Sequence, residues 1–126
     1  MRPASLSEVA DLAAGGDSFD RCLANFLDEL YMAPSAHALS EQPRLLAPRF
    51  DDLGRVQDAY LAATAEELAR QFNLPYPLWA DAEERKLRRP WFASPPSGLR
   101  AVLLLESPPG FRSRNIFVSA NALDRV

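Results

Sequence analysis

Hydrophobic and polar positions near the start of the chain alternate with the period of an α-helix. In residues 19–31, apolar side chains recur at intervals of three and four residues, which places them on one helix face. The members of this stripe are Phe19, Cys22, Leu23, Phe26, Leu27, Leu30 and Tyr31. Pro34 follows the stripe, and helices usually end before a proline. The spacing therefore predicts one strongly amphipathic helix over this range.

Capping residues set the boundaries of the first two predicted helices. Ser5 and Glu8 have the spacing of a capping box, in which the two residues satisfy free N–H groups of the first helical turn. The pair Gly15-Gly16 ends that helix, because glycine readily adopts the left-handed backbone found after a helix. Two N-cap candidates could begin the next helix, Asp17 or Ser18.

A longer helix is predicted from about Leu53 to Phe72. Its inward face consists of Val56, Tyr60, Leu61, Thr64, Leu68 and Phe72. Gly54 weakens the first turn by roughly 1 kcal/mol relative to alanine. The preceding residues 35–50 hold at most one or two helical turns, because Pro43 and Pro48 interrupt them.

Proline becomes frequent after residue 75, and the predicted elements become shorter. The segment "LWADAEERKL" (78–87) predicts a helix, and Ser107 followed by Pro108 predicts a short helix that runs through Arg114. Residues 99–106 are assigned to a helix from their composition. The alternative pairs residues 100–106 with 115–119 as an antiparallel β-hairpin. Ser119 is expected to cap a final helical stub.

Together these elements predict a mainly α fold: one domain over 1–126, with about five to six helices and a short C-terminal hairpin as the open alternative. The composition agrees, since 48% apolar and 25% charged residues are typical of globular domains. Cys22, the only cysteine, can form neither an intramolecular disulfide nor a zinc site. No apolar run approaches the roughly 20 residues of a membrane helix. The first residues lack the apolar core of a signal peptide, so we expect a cytoplasmic protein.

Charge is unevenly distributed, although the net charge is only −3. Residues 1–80 contain six arginines and twelve acidic residues, a net −6, whereas residues 81–126 contain seven arginines, one lysine and five acids, a net +3. The basic residues cluster in "RKLRR" (85–89) and "FRSR" (111–114). Such clusters either form an ordinary solvated surface or face an acidic partner.

The sequence offers few residues for catalysis. His37 is the only histidine, and it lies in a connection rich in proline and alanine. Adjacent acidic residues point in different directions on a helix, so none of the acidic pairs forms a site by itself. Motifs for a serine nucleophile, a metal or a phosphate are absent from the sequence. We therefore expect a non-catalytic protein without a cofactor or metal, and an enzyme built from scattered carboxylates and His37 is the third functional alternative.

Residues 65–87 have the spacing of a helix-turn-helix, with Asn73 at the position usually held by glycine. In such a unit the second helix enters the major groove of DNA. Here that helix would bring Asp81 and Glu84 towards DNA phosphates, which opposes binding. A small DNA-binding transcriptional regulator is therefore the second alternative, and a helix pair built only for packing explains the same spacing.

Two segments combine arginine with large apolar residues, as protein–protein contacts often do. One follows the cluster at 85–89, and the other spans residues 111–118. The residues that we expect to contact a protein partner are Arg112, Arg114, Asn115 and Phe117, together with Arg88, Arg89 and Trp91. The alternative is that residues 111–118 fold back onto the core, where their arginines pair with acids of the first half.

Two stretches, "DAYLAATAEELARQFNLPYPLWA" and "LRAVLLLESPPGFRSRNIFVSANALDRV", carry a resemblance to a known family. The chain resembles small uncharacterised bacterial proteins encoded beside nucleotidyltransferase-like genes, in an arrangement similar to a toxin–antitoxin pair. The pieces "RNIF" and "ALDRV" are its most specific parts. The resemblance implies a non-catalytic partner or regulator, such as the antitoxin-like member of a two-gene system, whose partner is the product of the neighbouring gene. It supplies no catalytic residues.

Overall fold

A computed structural model describes residues 2–93, 106–120 and 122–124. These residues form a mainly helical fold, as predicted. The α-helices are α1 (Leu6–Ala14), α2 (Phe19–Met32), α3 (His37–Ser40), α4 (Ala47–Gln71) and α5 (Pro109–Arg112). Two 3₁₀ turns span Leu78–Asp81 and Glu83–Arg85, and two strands are β1 (Trp91–Phe92) and β2 (Ile116–Phe117). None of these helices has the length and apolar content of a membrane span. The choice between helix and strand at residues 99–105 lies outside the described ranges.

Side-chain caps begin α1 and α2 at predicted residues. Ser5 Oγ accepts a hydrogen bond from the backbone N–H of Glu8 at 3.1 Å, and Ser18 Oγ accepts one from that of Arg21 at 3.2 Å. Gly16 follows α1 with a φ of 111°, which residues with a side chain rarely adopt. The predicted boundaries of α1 and the predicted start of α2 are confirmed.

The stripe on α2 faces the core, as its spacing predicts. The buried members are Cys22, Leu23, Phe26, Leu27 and Leu30. Phe19 and Tyr31 are partly buried against the same core. From α1, the buried side chains of Leu6 and Val9 pack into this cluster. Burial of a large apolar side chain contributes about 1.5–3 kcal/mol, so apolar packing holds the helix pair α1–α2 in place.

The long helix α4 begins at Ala47, earlier than predicted, and is interrupted at Asp51. Asp51 has φ 52° and ψ −123°, so residues 47–50 form an extra turn before the regular part of the helix. The carboxylate of Asp58 accepts hydrogen bonds from the N–H groups of Leu46 at 2.6 Å and Ala47 at 3.1 Å. This extra turn is capped from a later part of the same helix, and it falls within residues 35–50, where the sequence predicted at most one or two helical turns.

Gly54 lets the extra turn fold back against the helix that follows. A Cβ atom at this position would overlap the carbonyl group of Leu46 and lie 2.6 Å from the backbone nitrogen of Ala47. These are backbone atoms, which cannot move away as a flexible side chain could. The glycine is therefore required for close packing, and its role is not limited to the weakening of the helix that the sequence suggested.

The prediction of a helix over residues 78–87 is wrong. Instead, the two 3₁₀ turns occupy this range, separated by extended backbone at Ala82 (φ −61°, ψ 141°). Asn73 adopts a φ of 53° just after α4, and prolines at 75 and 77 keep the chain from resuming a helix. The second helix that a helix-turn-helix requires is consequently not formed within residues 65–87, all of which the structure describes.

The C-terminal segment, by which we mean the described residues from 106 to 124, folds back onto α4. Strand β2 pairs in parallel with β1, with Ile116 opposite Trp91. In the described residues, then, the partner of β2 is β1 rather than an antiparallel strand. Helix α5 ends at Arg112, so the short helix predicted through Arg114 is confirmed only in part. After Ser119, residues 120 and 122–123 form a turn instead of the expected helical stub.

Candidate protein-binding surface

The two segments predicted to contact a protein partner lie side by side. The backbone N–H of Leu87 donates to the carbonyl of Arg114 at 3.2 Å, and that of Trp91 donates to the carbonyl of Asn115 at 2.8 Å. A third bond, from Ala93 to the carbonyl of Phe117 at 3.0 Å, continues the same parallel pairing. Backbone hydrogen bonds therefore fix the first segment along the second and join both into one region.

Four of the predicted residues are exposed in this region, and we call them the basic surface: Arg88, Arg89, Trp91 and Arg112. The Trp91 side chain retains 36% of its exposure. Arg112 Nη2 donates to the carbonyl of Ser107 at 2.6 Å, which restrains one end of its guanidinium group. Among the described residues, no carboxylate forms an ion pair with any of the three arginines. The basic surface thus carries three positive charges and one exposed aromatic side chain.

Arg114 lies in the core instead of on the surface. Its side chain is 2% exposed, and its Nη1 donates to Glu66 Oε1 at 2.7 Å and to the carbonyl of Gly110 at 2.7 Å. Its Nη2 donates to the carbonyl of Ala80 at 2.9 Å. The guanidinium group cannot reach a partner without leaving these contacts. For Arg114, the placement matches the alternative in which the segment folds back and pairs with an acid of the first half.

Two neighbouring glutamates of α4 hold the C-terminal segment. While Glu66 binds Arg114, Glu67 Oε2 accepts a hydrogen bond from the backbone N–H of Gly110 at 2.8 Å. Arg70 donates to both carboxylates, at 2.9 Å to Glu66 and 2.6 Å to Glu67. Hydrogen bonds that involve an ionised group are about twice as strong as neutral ones. We call Glu66, Glu67, Gly110 and Arg114 the polar latch.

Tyr76 closes the outer side of the polar latch. Its hydroxyl donates to Asp81 Oδ1 at 2.6 Å and accepts a bond from Arg114 Nη2 at 3.3 Å. Burial, followed by the hydrogen bond to Asp81, raises the pKa of Tyr76 to about 12. The phenol therefore stays protonated at neutral pH and keeps donating to the carboxylate.

Asn115 and Phe117, also predicted to contact a partner, support the basic surface from beneath. The side-chain amide of Asn115 donates to the carbonyl of Leu87 at 2.7 Å, and its φ of 63° turns the chain between α5 and β2. Phe117 is 7% exposed and stacks on Phe92 with ring centroids 5.0 Å apart. In this structure both side chains position the two segments, and neither is free to bury substantial area against a partner.

Arg85 is a second buried arginine, and sequence reasoning missed it because it begins the basic run "RKLRR". It is fully buried, and its Nη1 donates to the carbonyl of Asp58 at 3.2 Å while Nη2 donates to the carbonyl of Pro43. Its guanidinium carbon lies 4.8 Å from the centre of the Trp79 ring. Burial lowers the pKa of Arg85, and the charges of Asp58 and Glu84 oppose that shift. Arg85 thus anchors the second 3₁₀ turn directly before the basic surface.

Among the described residues, His37 has no carboxylate within ion-pair distance. His37 is exposed at the start of α3, and its backbone N–H donates to Ser35 Oγ at 3.2 Å. Within the described ranges, no group of three or more histidine, cysteine or acidic residues could hold a metal ion. The side chains of Trp79 and Cys22 serve the core, since Trp79 Nε1 donates to the carbonyl of Leu39 at 2.9 Å and Cys22 is buried.

Comparison with known proteins adds no information about the family or the function of this chain. No family model matches this chain, and neither the curated proteins nor the solved structures give a match. The family resemblance drawn from the sequence therefore stays an expectation. Any functional proposal rests on the geometry of the basic surface and on the residues that support it.

Proposed function

We propose that the protein acts by binding an acidic partner protein through the basic surface. The observation that carries this proposal is the exposure of three arginines and Trp91 on two paired segments, with none of the arginines in an ion pair with a described carboxylate. Five of the six arginines of the first half behave differently. An acidic partner within the described chain is present for Arg2, Arg21, Arg44, Arg55 and Arg70.

The partner should offer carboxylates beside an apolar recess. Arginine and tryptophan are the residues most often found at the energetic centre of protein interfaces. A guanidinium group can bind a carboxylate through two parallel hydrogen bonds, whereas Trp91 would bury apolar area. The backbone bonds between the two segments, and the bond from Arg112 to Ser107, hold these groups in place before binding, which lowers the entropy cost of association.

The family resemblance suggests which protein to test first. It points to the product of a neighbouring gene, with this chain as the antitoxin-like member of a cytoplasmic pair. The geometry of the basic surface supports the proposed binding role, and the identity of the partner is part of the same proposal. No comparable observation favours the DNA-binding regulator, since residues 78–85 form two 3₁₀ turns instead of a recognition helix.

The decisive experiment reverses the charge of the basic surface. We would purify the tagged chain from its own cells after nuclease treatment, identify co-purifying proteins, and measure binding of the purified partner by calorimetry. The triple variant Arg88→Glu, Arg89→Glu, Arg112→Glu should bind at least about tenfold more weakly, because each change replaces an attraction by a repulsion. Arg114 is left unchanged, since its loss would damage the core.

A matched variant tests whether the effect belongs to this surface. The triple change Arg2→Glu, Arg21→Glu, Arg55→Glu makes the same charge difference at exposed positions of the first half, and it should bind the partner within about threefold of the original. Equal weakening by both triple variants would contradict the proposal. In a parallel purification without nuclease, recovery of nucleic acid without any protein would favour the DNA-binding regulator instead.

A further inference from the structure

A cavity of about 580 Å³ lies where the end of α1 meets the residues that lead into α4. It is open to solvent and is lined by Ala14, Arg44, Leu45, Pro48 and Arg49. Its volume lies within the range of small-molecule sites, roughly 300–1,000 Å³. No residue of the basic surface contributes to it, so its function would be separate from the binding of a partner protein.

Two arginines line the cavity, and their guanidinium groups are weakly engaged. Arg44 Nε lies 3.5 Å from Asp11 Oδ1, and the two side chains are 60% and 61% exposed, so this pair adds little stability. Arg49 forms no ion pair with a described carboxylate, and its guanidinium carbon lies 5.5 Å from the centre of the Phe50 ring. Both arginines could therefore turn their donors towards an anion in the cavity at little cost.

The first backbone N–H groups of α4 cannot serve as the anion receptor. Those of Leu46 and Ala47 already donate to the carboxylate of Asp58. Recognition of an anion would depend on the forked donors of Arg44 and Arg49. Two such forks suit a phosphate group, which has three oxygens and close to two negative charges at neutral pH.

We propose that this cavity binds a small organic phosphate. The phosphate group bridges Arg44 and Arg49, and the organic part rests against the apolar atoms of Ala14, Leu45 and Pro48. Asp11 pairs with Arg44 in this structure, and the phosphate displaces it. This proposal is independent of the proposed protein-binding function.

The test is a titration of the full ¹⁵N-labelled chain, followed through its amide NMR signals in a buffer free of phosphate and sulfate. Phenyl phosphate is the probe, with inorganic phosphate and phenol as comparators. Phenyl phosphate should produce saturable shifts at residues 14, 44–47, 49 and 50, inorganic phosphate should bind more weakly, and phenol should leave these signals unchanged. Absence of saturation by phenyl phosphate at millimolar concentrations, or equal affinity for inorganic phosphate, would overturn the proposal.

Variants connect the binding to the two arginines. The double variant Arg44→Gln, Arg49→Gln should bind phenyl phosphate at least about tenfold more weakly, because two charge-assisted recognition groups are lost. Arg55→Gln is the control, since Arg55 lies on the same helix as Arg49 but pairs with Asp52. This variant should keep the original affinity for phenyl phosphate. Unchanged binding by the double variant, with its amide spectrum otherwise intact, would contradict the assignment. The charge-reversed variant of the basic surface should bind phenyl phosphate normally even if it has lost its partner protein.

Discussion

The helix pair α1–α2 and the C-terminal segment both bury apolar side chains in the same core, but only the C-terminal segment adds a charged polar network to them. In the helix pair, the buried face consists mainly of apolar side chains such as Phe26 and Leu27, and the polar contacts are caps at helix ends and single neutral donors such as the hydroxyl of Ser7. In the C-terminal segment, a nearly buried Arg114 binds Glu66 and main-chain carbonyls, and Glu67 binds a backbone N–H.

This difference affects how each region tolerates change. Apolar burial has no preferred direction, so a side chain of similar volume can replace another at modest cost. The polar latch depends on donors and acceptors at fixed positions, and a buried group that loses its partner retains the full cost of its desolvation. The helix pair should respond mainly to lost volume, and the latch to lost partners.

The largest effect is expected in the helix pair. Phe26 is 1% exposed, so Phe26→Ala should lower the free energy of unfolding by about 3–5 kcal/mol through lost burial and a new cavity. Phe26→Leu should cost less than about 1.5 kcal/mol, because most of the volume remains. Urea denaturation at low and high salt would measure both, and the losses should not depend on salt. A strong salt dependence would contradict apolar packing as the cause.

A change in the polar latch should also lower the free energy of unfolding, but through lost hydrogen-bond partners instead of lost volume. Arg114→Met should cost about 3 kcal/mol, because Glu66 and the carbonyls of Gly110 and Ala80 lose their donor. The double variant Arg114→Met, Glu66→Gln should cost less than the sum of the single changes, which a double-mutant cycle from urea denaturation measures. Additive losses would mean that the two side chains are not coupled. Arg88→Met, at an exposed position, is the control and should change stability by less than about 0.5 kcal/mol.

Tyr60 offers a comparison based on pH, since it touches both regions. Its ring lies 6.3 Å from Phe19 of α2 and 4.8 Å from Phe111 of α5, measured between centroids. Burial, followed by the nearby charge of Asp20, raises the pKa of Tyr60 to about 12. Because the unfolded phenol ionises near pH 10, the contribution of Tyr60 to stability is complete below that pH and is lost as pH rises towards 12.

The test of this pH dependence is the variant Tyr60→Phe, which has no phenol to ionise. Between about pH 9 and pH 12, the original chain should lose about 2 kcal/mol more of its unfolding free energy than the variant does. Urea denaturation at several pH values would show the difference. Parallel pH profiles would contradict a raised pKa at this position.

The smallest expected effects are changes in stability caused by replacing a glycine with alanine, and they have opposite signs in the two regions. A Cβ atom on Gly110 would lie 2.8 Å from Glu67 Oε2 and 3.3 Å from the carbonyl oxygen of Ala63, so Gly110→Ala should cost about 1–2 kcal/mol. At Gly15, after α1, the nearest atom would be 3.5 Å away and φ is −80°, so Gly15→Ala should gain about 0.5 kcal/mol. Thermal unfolding would measure both, and a stabilising Gly110→Ala would show that the latch is looser than its distances indicate.

The elements that the sequence predicted correctly are those with local signals. Ser5 and Ser18 cap helices within three residues of themselves, and the stripe on α2 repeats with the helical period. Asn73, placed in a turn position usually held by glycine, does adopt a left-handed φ of 53°. Each of these features is determined by neighbours along the chain, which a single sequence displays.

The features that the sequence did not reveal depend on residues far apart. The extra turn of α4 exists because Asp58 caps it and Gly54 makes room for it. Within one basic run, Arg85 is buried against Trp79 whereas Arg88 is exposed, and composition cannot distinguish them. The prediction of a helix over 78–87 was wrong for a related reason. Leu, Ala and Glu favour a helix in this range. The nearby prolines and the buried Arg85 favour separate turns.

The fold brings together the two segments that combine arginine with aromatic residues, and their role as a binding surface stays a prediction. The sequence does not show which arginine faces solvent. Arg112 and Arg114 differ by two positions and have opposite environments, because α5 ends between them and the chain turns at Asn115. The exposure of each side chain is decided by this turn, which depends on the bond from Asn115 to Leu87.

The polar latch also affects the order in which the molecule folds. Its bonds join residues 43 and 48 positions apart, whereas the caps of α1 and α2 join residues three apart. Contacts between distant residues require a long loop to close before they contribute stability, so they form late in folding. The basic surface is therefore among the last parts to assemble, and a chain that has formed its helices does not yet display it.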